Sequence, residues 1–372
     1  MNGAREAQVL DRAILEWIAA WAKSAAQTED EFNALALRIF SYQLRHNVPY
    51  AKFAAARGYG PSRLPAAWRE IPAAPSSAFK DVTLTTFDPA RAALRFQTSG
   101  TTSGATGTHY MENAQLYEAA LLACFDRYML HEPAPARYLM LVPDPSERAN
   151  SSLGHMLGHI AGERARDVRW YLHAEGLDVE GALADLAAAA HERIPVCIAT
   201  TAFALMHLLE ACAQRSVRLQ LAPGSRVMET GGFKGRSRVV ERETLYHQTC
   251  AALGLPLRAI VAEYGMTELT SQYYDSFASR DRELRVKAGP SWLRAYAVDL
   301  HGKPCEAGTI GRLVHVDLAN RSSLIAVATD DLGYVVTSPH PDERFVLLGR
   351  PSDAPLRGCS LDAEALEARA SF

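Results

Sequence analysis

LRAIVAEYGMTE, residues 257–268, opens apolar and turns polar at Glu263, then sets two carboxylates, an aromatic ring, a glycine and a hydroxyl side by side. Leu257–Ala262 reads as a buried strand, and the turn behind it falls where open α/β sheets bind ligands, beyond the carboxyl ends of their strands. Glu268 offers a carboxylate oxygen to Mg²⁺, Thr267 a hydroxyl to a phosphate, and Tyr264 a flat face for stacking. The same residues also read as a surface turn in which Glu263 and Glu268 are solvated and the tyrosine packs. A hexapeptide alone does not separate the two.

A second polar segment, TSGTTSGATGT at 98–108, holds three glycines and five threonines in eleven residues. Glycine lets a backbone turn tightly and approach a ligand, because no Cβ intervenes. Consecutive N–H groups with Ser and Thr hydroxyls form a concave anion site. The segment is not a Walker A loop, since no Gly-Lys-Ser/Thr follows. Its alternative reading is a polar hairpin between strands.

Outward from these segments the chain reads as α/β. Val9, Leu10, Ile14, Leu15 and Ile18, then Phe32, Leu35, Leu37, Ile39 and Phe40, recur at helical spacing within residues 5–58. Pro61–Pro75 is a proline-punctuated connector, Arg95–Gln97 completes a strand, and Asn113 precedes a helix facing inward through Leu116, Ala120, Cys124 and Tyr128. Strand and helix then alternate: Tyr138–Val142, Leu153–Ala161, Val168–Leu172, Pro195–Thr200 and Ala202–Ala213. Such alternation predicts a sheet of buried strands. Beyond about 285 the segments Leu313–Asp317, Leu324–Ala328, Tyr334–Thr337 and Arg344–Leu348 predict short strands separated by turns. The expected division is therefore 1–284, helices plus an α/β body, and 285–372, a β-rich subdomain.

Composition narrows the function classes. The 372 residues carry 39 basic and 42 acidic side chains for a formal charge of −3, with no basic block to meet nucleic acid. Cysteines at 124, 197, 212, 250, 305 and 359 show no CxxC spacing, so neither a disulfide framework nor a zinc site is expected. His155 and His159 stand four apart in HMLGH without the glutamate of a zinc-protease motif. The N-terminus lacks a signal-peptide pattern, and the most apolar stretch, 196–213, is interrupted by Thr200, Thr201, His207 and Glu210. A cytoplasmic enzyme without a membrane span is the expectation.

Taken together the two polar segments resemble the adenylate-forming superfamily of acyl-CoA synthetases, luciferases and peptide-synthetase adenylation domains. Thr98-Ser99-Gly100-Thr101-Thr102 matches the first half of its phosphate loop, and Tyr264-Gly265-Met266-Thr267-Glu268 matches its YG-x-TE motif in full. Thr329-Asp330-Asp331-Leu332-Gly333 is similar to its TGDLG, which puts Asp331 on the ribose hydroxyls, and Gly349-Arg350 resembles the GR of its hinge. The nearer likeness is to LuxE-type acyl-protein synthetases and their relatives in secondary metabolism, the phenazine pathway included. It extends through FNALALRIFSYQLRHNVPYAKF, IPAAPSSAFK, Ser151-Ser152-Leu153-Gly154-His155-Met156 and Gly231-Gly232-Phe233-Lys234. The resemblance implies an α/β adenylate-forming N-terminal domain with a small β-rich subdomain. It implies ATP and Mg²⁺ as cofactors, a fatty or aromatic carboxylic acid as substrate, and an acyl-accepting protein or CoA as partner. It also places Gly231 and Gly232 against the adenine or acyl group and His155 near the carboxylate pocket.

The chain departs from the superfamily in two places. The phosphate loop lacks the usual Pro-Lys, which leaves His109 as the nearest candidate for a compensating charge. Larger superfamily members continue into a mobile lid carrying a catalytic lysine, whereas this sequence ends 22 residues after Arg350 (372 − 350), so that large lid is not expected. Lys234 or Arg350 is the candidate cation in its place. LuxE-type enzymes carry a C-terminal acyl-accepting cysteine, and Cys359 stands in the corresponding position, beside Arg357, which would favour its thiolate. The other five cysteines read as core. Three activities remain open: adenylation followed by transfer to a thiol, acyl- or aryl-CoA ligation, and non-catalytic acid binding.

Overall fold

The computed structural model describes residues 3–98, 106–130, 134–231, 241–337 and 344–350. These residues form two compact units, each assembled from separated stretches of chain. One takes residues up to 124 together with 266–273 and the segment from 286; the other takes 125–265 and 274–285. The N-terminal helices thus belong with the strands beyond residue 285.

In the first unit the helices Gly3–Ala22, Glu29–His46 and Val48–Ala55 precede the strands. The second begins with a reciprocal cap. The amide of Glu31 donates to the Thr28 hydroxyl at 3.3 Å while the Thr28 amide donates to the Glu31 carboxylate at 2.8 Å. Its inner face is Phe32, Leu35, Ala36, Ile39 and Phe40, the expected spacing except that Ala36 is buried there and Leu37 is half-buried. The first helix differs from expectation at two positions. Val9 points outward, 45% exposed, whereas Asp11 takes a buried place. The reason is Arg321, wholly buried, whose Nε and Nη2 donate to the two Asp11 oxygens at 2.7 and 2.9 Å and whose Nη1 donates to Glu112 at 2.9 Å. A buried guanidinium requires such partners, so the carboxylate faces inward ahead of the valine.

The main strands of this unit run in the order Leu293–Val298, Gly311–Asp317, Ala326–Val336, Arg344–Gly349 and Lys287–Ala288, antiparallel to one another, while the short strand Ala74–Pro75 pairs parallel with Ala326–Val336. The expected pair Leu324–Ala328 and Tyr334–Thr337 is one eleven-residue strand. Its continuity depends on a bulge. Arg312 pairs with Leu332 but Val314 with Ala328, so Thr329, Asp330 and Asp331 together oppose Leu313. The Thr329 hydroxyl donates to the Leu313 carbonyl at 2.9 Å and accepts from the Asp331 amide at 3.1 Å. A side chain thereby supplies the bonds that the interrupted ladder cannot.

The second unit is a parallel sheet in the order Ile260–Tyr264, Arg226–Thr230, Val196–Thr201, Arg137–Pro143 and Asp167–His173, with Gly176–Leu177 antiparallel at its edge. Numbered along the chain, its five long strands have the spatial order 2-1-3-4-5, a doubly wound arrangement. Leu139 and Leu141 point into a cluster with the helices Val179–Glu192, Ala202–Gln214 and Arg242–Leu253. Tyr138, Met140 and Val142 are buried on the opposite face, which is why this strand reads as continuously apolar. The expected strand at Leu257–Ala262 begins later. Leu257–Ala259 is a 3₁₀ turn, and pairing starts at the rung Val227↔Ile260, so Glu263 and Tyr264 end the strand rather than follow it. Thr201 caps the helix Ala202–Gln214, accepting from the Ala204 amide at 3.1 Å. Cys124, Cys197 and Cys212 are core residues, while Cys250 and Cys305 are half-buried. Among the described residues no helix is long and apolar enough to cross a membrane.

Two predictions come from the buried polar groups of the first unit. Arg321→Met leaves two carboxylates without their cation, and denaturant unfolding should show a loss of about 3–5 kcal/mol. A loss within error of zero would mean that the pair does not hold the N-terminal helix. His315 is wholly buried beside Tyr273, whose hydroxyl lies 3.0 Å from Nδ1, and burial lowers its pKa from 6.5 to about 4 although Asp331 opposes this. Its folded pKa lies below the unfolded value, so the unfolded chain binds the extra proton between them. The contribution is whole above pH 6.5 and is lost as pH falls toward 4. Between those limits the wild type should lose about 3 kcal/mol more than His315→Gln, and equal losses would refute the assignment.

Candidate functional site

Thr98 follows the strand Leu94–Gln97, and Gly107 precedes its partner Thr108–Met111. The two residues bond reciprocally. The Thr98 amide donates to the Gly107 carbonyl at 2.9 Å, and the Gly107 amide donates to the Thr98 hydroxyl at 2.8 Å. Gly107 admits no side chain, since a Cβ would meet the Phe79 carbonyl carbon and oxygen at 2.9 Å. The ends of the glycine-rich segment are therefore pinned together. Ser99, Gly100, Thr101 and Thr102 lie outside the described residues.

In the same unit Thr267 and Glu268 are 3% and 4% exposed, which excludes the solvated-turn reading for Glu268. Two side chains distant in sequence grip their backbone. His109 Nδ1 lies 2.7 Å from the Thr267 carbonyl, and Asn320 Nδ2 donates to the Glu268 carbonyl at 2.8 Å. The residues that follow are held by Asp317, which accepts from the Thr270 amide, the Ser271 hydroxyl and the Ala319 amide at 2.9–3.0 Å. Burial pushes Asp317 up to about 6 against the pull of these donors. Thr270 donates its hydroxyl to Asn320, closing the network.

His109 does not supply the expected charge. It is 1% exposed, and burial lowers its pKa to about 4, so the ring is neutral at pH 7. Asp331 stands on the bulge described above and accepts from Arg350 Nε at 2.7 Å, both side chains being largely buried. Arg350 is thus committed to a carboxylate, a geometry that suits orienting Asp331.

In the second unit Thr230 and Glu263 face each other across the last rung of their strands, and the Thr230 hydroxyl donates to the Glu263 carboxylate. Gly231 follows at φ +90°, a conformation that a Cβ would strain. Tyr264 and Gly265 are half-buried at the end of the neighbouring strand. His155 lies in the helix Ser152–Arg164, which leaves the carboxyl end of Arg137–Pro143 and is capped by Ser151 accepting from the Gly154 amide at 3.0 Å. That strand and Val196–Thr201 flank the point where the strand order reverses, the usual ligand position in such sheets. Gly232, Lys234 and Cys359 lie outside the described residues.

Among the described residues no three His, Cys, Asp or Glu side chains converge as a metal cage. The donor set around Glu268, one buried carboxylate beside a hydroxyl, fits Mg²⁺, which binds through one or two carboxylates together with substrate phosphates. Sequence reading missed Asn320 and Asp317, for which no local motif exists, and singled out Gly107 only as one glycine of the segment 98–108. His109 was visible, but as a charge rather than a hydrogen-bond donor.

Solved structures of similar fold include a CoA ligase. The 2-hydroxyisobutyryl-CoA ligase with 2-HIB-AMP and CoA superposes with a TM-score of 0.65 at 14% identity, covering 90% of this chain and 80% of the ligase. ATP-bound MatB from Rhodopseudomonas palustris gives 0.51 at 16% identity, covering 71% of this chain and 49% of MatB. No curated protein sequence matches significantly. The model of the LuxE acyl-protein synthetases matches residues 6–366, nearly the whole chain, and the chain belongs to that family.

Proposed function

We propose that the protein activates a carboxylic acid, fatty or aromatic, as its acyl-adenylate and passes the acyl group to a thiol. The observation that carries this reading is the Thr267–Glu268 turn, whose main-chain carbonyls are held by His109 and Asn320 inside the first unit. A buried carboxylate fixed by its backbone is preorganised for a cation, and preorganised charge is a large part of phosphoryl-transfer catalysis. Mg²⁺ held by Glu268 would neutralise phosphate charge, and Asp331, backed by Arg350, would orient the ribose. Gly231 would lie against the adenine or the acyl group, and Tyr264 would stack on a flat ring. Family membership supports an AMP-forming ligase, as does the fold shared with a CoA ligase solved with an acyl-AMP and with ATP-bound MatB.

In the first step a carboxylate oxygen of the acid attacks the α-phosphorus of ATP, and the bond to the bridging oxygen breaks to release pyrophosphate. In the second a thiolate sulfur attacks the acyl carbonyl and AMP leaves with the electron pair of the acyl–oxygen bond. The thiol is that of Cys359 or of a partner protein, and His155 is the candidate for the carboxylate pocket. Lys234 remains the candidate cation of the first step.

Pyrophosphate–ATP exchange across a panel of fatty and aromatic acids should be acid-dependent in the wild type and fall by about a hundredfold in Glu268→Gln. Exchange without dependence on any acid, or an unaffected variant, would remove the basis of the proposal. Cys359→Ser should keep exchange at the wild-type rate while losing the covalent acyl-protein seen by mass spectrometry with a labelled acid. Retained labelling would assign the acceptor thiol elsewhere.

A further inference from the structure

His109 occupies a position where a histidine is costly. Its ring packs edge-on against Phe79 at 5.6 Å between centroids and is sealed from solvent. A carbonyl only accepts, so Nδ1 carries the hydrogen in its bond to Thr267, and Nε2 is left with a lone pair. No described residue donates to that Nε2. A core site needing only volume would be filled at less cost by leucine or phenylalanine, which bury no unsatisfied atom. What the imidazole adds is the single donor at Nδ1.

That donor joins two segments of the proposed site across 158 positions of sequence. On one side, the rungs Phe96↔His109 and Gln97↔Thr108 lead to the pinned pair Thr98 and Gly107. On the other, the Thr267 carbonyl precedes the Glu268 carbonyl, which Asn320 holds. Two consecutive peptide planes are thus fixed from separate parts of the fold, and with them the Cα–Cβ directions of Thr267 and Glu268.

We infer that His109 is a positioning residue whose Nδ1–H bond to the Thr267 carbonyl aims Glu268 at the magnesium ion of MgATP. The inference rests on the reading of Glu268 given above.

Two amide replacements separate donor position from mere polarity. Asparagine places its NH₂ group near the Nδ1 position, whereas glutamine reaches toward Nε2 and leaves the Thr267 carbonyl without its donor. ATP binding is measured by calorimetry with and without Mg²⁺, at a temperature where circular dichroism shows each variant folded. His109→Asn should keep the wild-type gain in affinity on adding Mg²⁺ to within about threefold, while His109→Gln should lose about tenfold of it with metal-free ATP binding unchanged. Equal gains in all three proteins, or a parallel loss with and without Mg²⁺, would overturn the inference. Should His109→Gln not fold, His109→Asn decides: loss of the Mg²⁺ gain overturns the inference and its retention supports it. Wild type that binds MgATP without acid-dependent exchange would sink the proposed activity and leave this comparison intact. Wild type that does not bind MgATP would sink both.

Discussion

A polar turn buried in the first unit has to find partners for every amide and carbonyl it exposes, and the turn at 318–324 meets that requirement with side chains from three directions. Gln43 donates to the Asn320 and Arg321 carbonyls and accepts from the Ile325 amide, while Asn47 donates to the Ser323 carbonyl. The Thr86 amide donates to the Ser322 carbonyl, and the Ser323 hydroxyl donates to the Leu84 carbonyl. Arg321 anchors on Asp11 and Glu112. The N-terminal helices therefore do more than cover apolar surface: they satisfy the turn. The turn in turn presents Asn320 to Glu268.

This arrangement explains why a surface-like string of residues is buried. Thr267, Glu268, Thr270 and Ser271 would each be expensive in a core lined by hydrocarbon. Here Asp317, Asn320 and His109 supply donors and acceptors to that stretch of chain, and Trp292 donates its indole N–H to Ser271 at 2.9 Å. The network spends its hydrogen bonds on backbone at Thr267 and Glu268. A carboxylate whose main chain is immobilised needs little reorganisation to meet a cation, which is the property adenylation chemistry demands.

The bulge at Thr329–Asp331 follows the same logic on a strand. A regular ladder would alternate its side chains and keep Asp331 in strict register. Three residues opposing one breaks that register, and the pairing with Arg350 gives the displaced carboxylate a fixed partner. Sequence patterning expects two strands here, since a polar TDDLG between apolar runs reads as a turn. Thr329 overrides the pattern by bonding with its hydroxyl across the defect.

Much of the architecture could be read along the chain because it rests on contiguous residues. Helical spacing in the N-terminal segments, apolar runs for doubly buried strands and the TSGTT and YG-x-TE strings all depend on local side-chain period or on residue types in fixed order. Hence the α/β class and the adenylate-forming fold are legible in the sequence, and so are the two turns proposed to bind ligand. The inward turn of Asp11, the merging of two strands around Asp331 and the neutrality of His109 were not. Each depends on which distant group lies opposite: Arg321 for Asp11, Leu313 for the bulge, the Thr267 carbonyl for His109. A buried polar atom takes its role from the partner that compensates its lost water, and the sequence order of residues does not encode that partner.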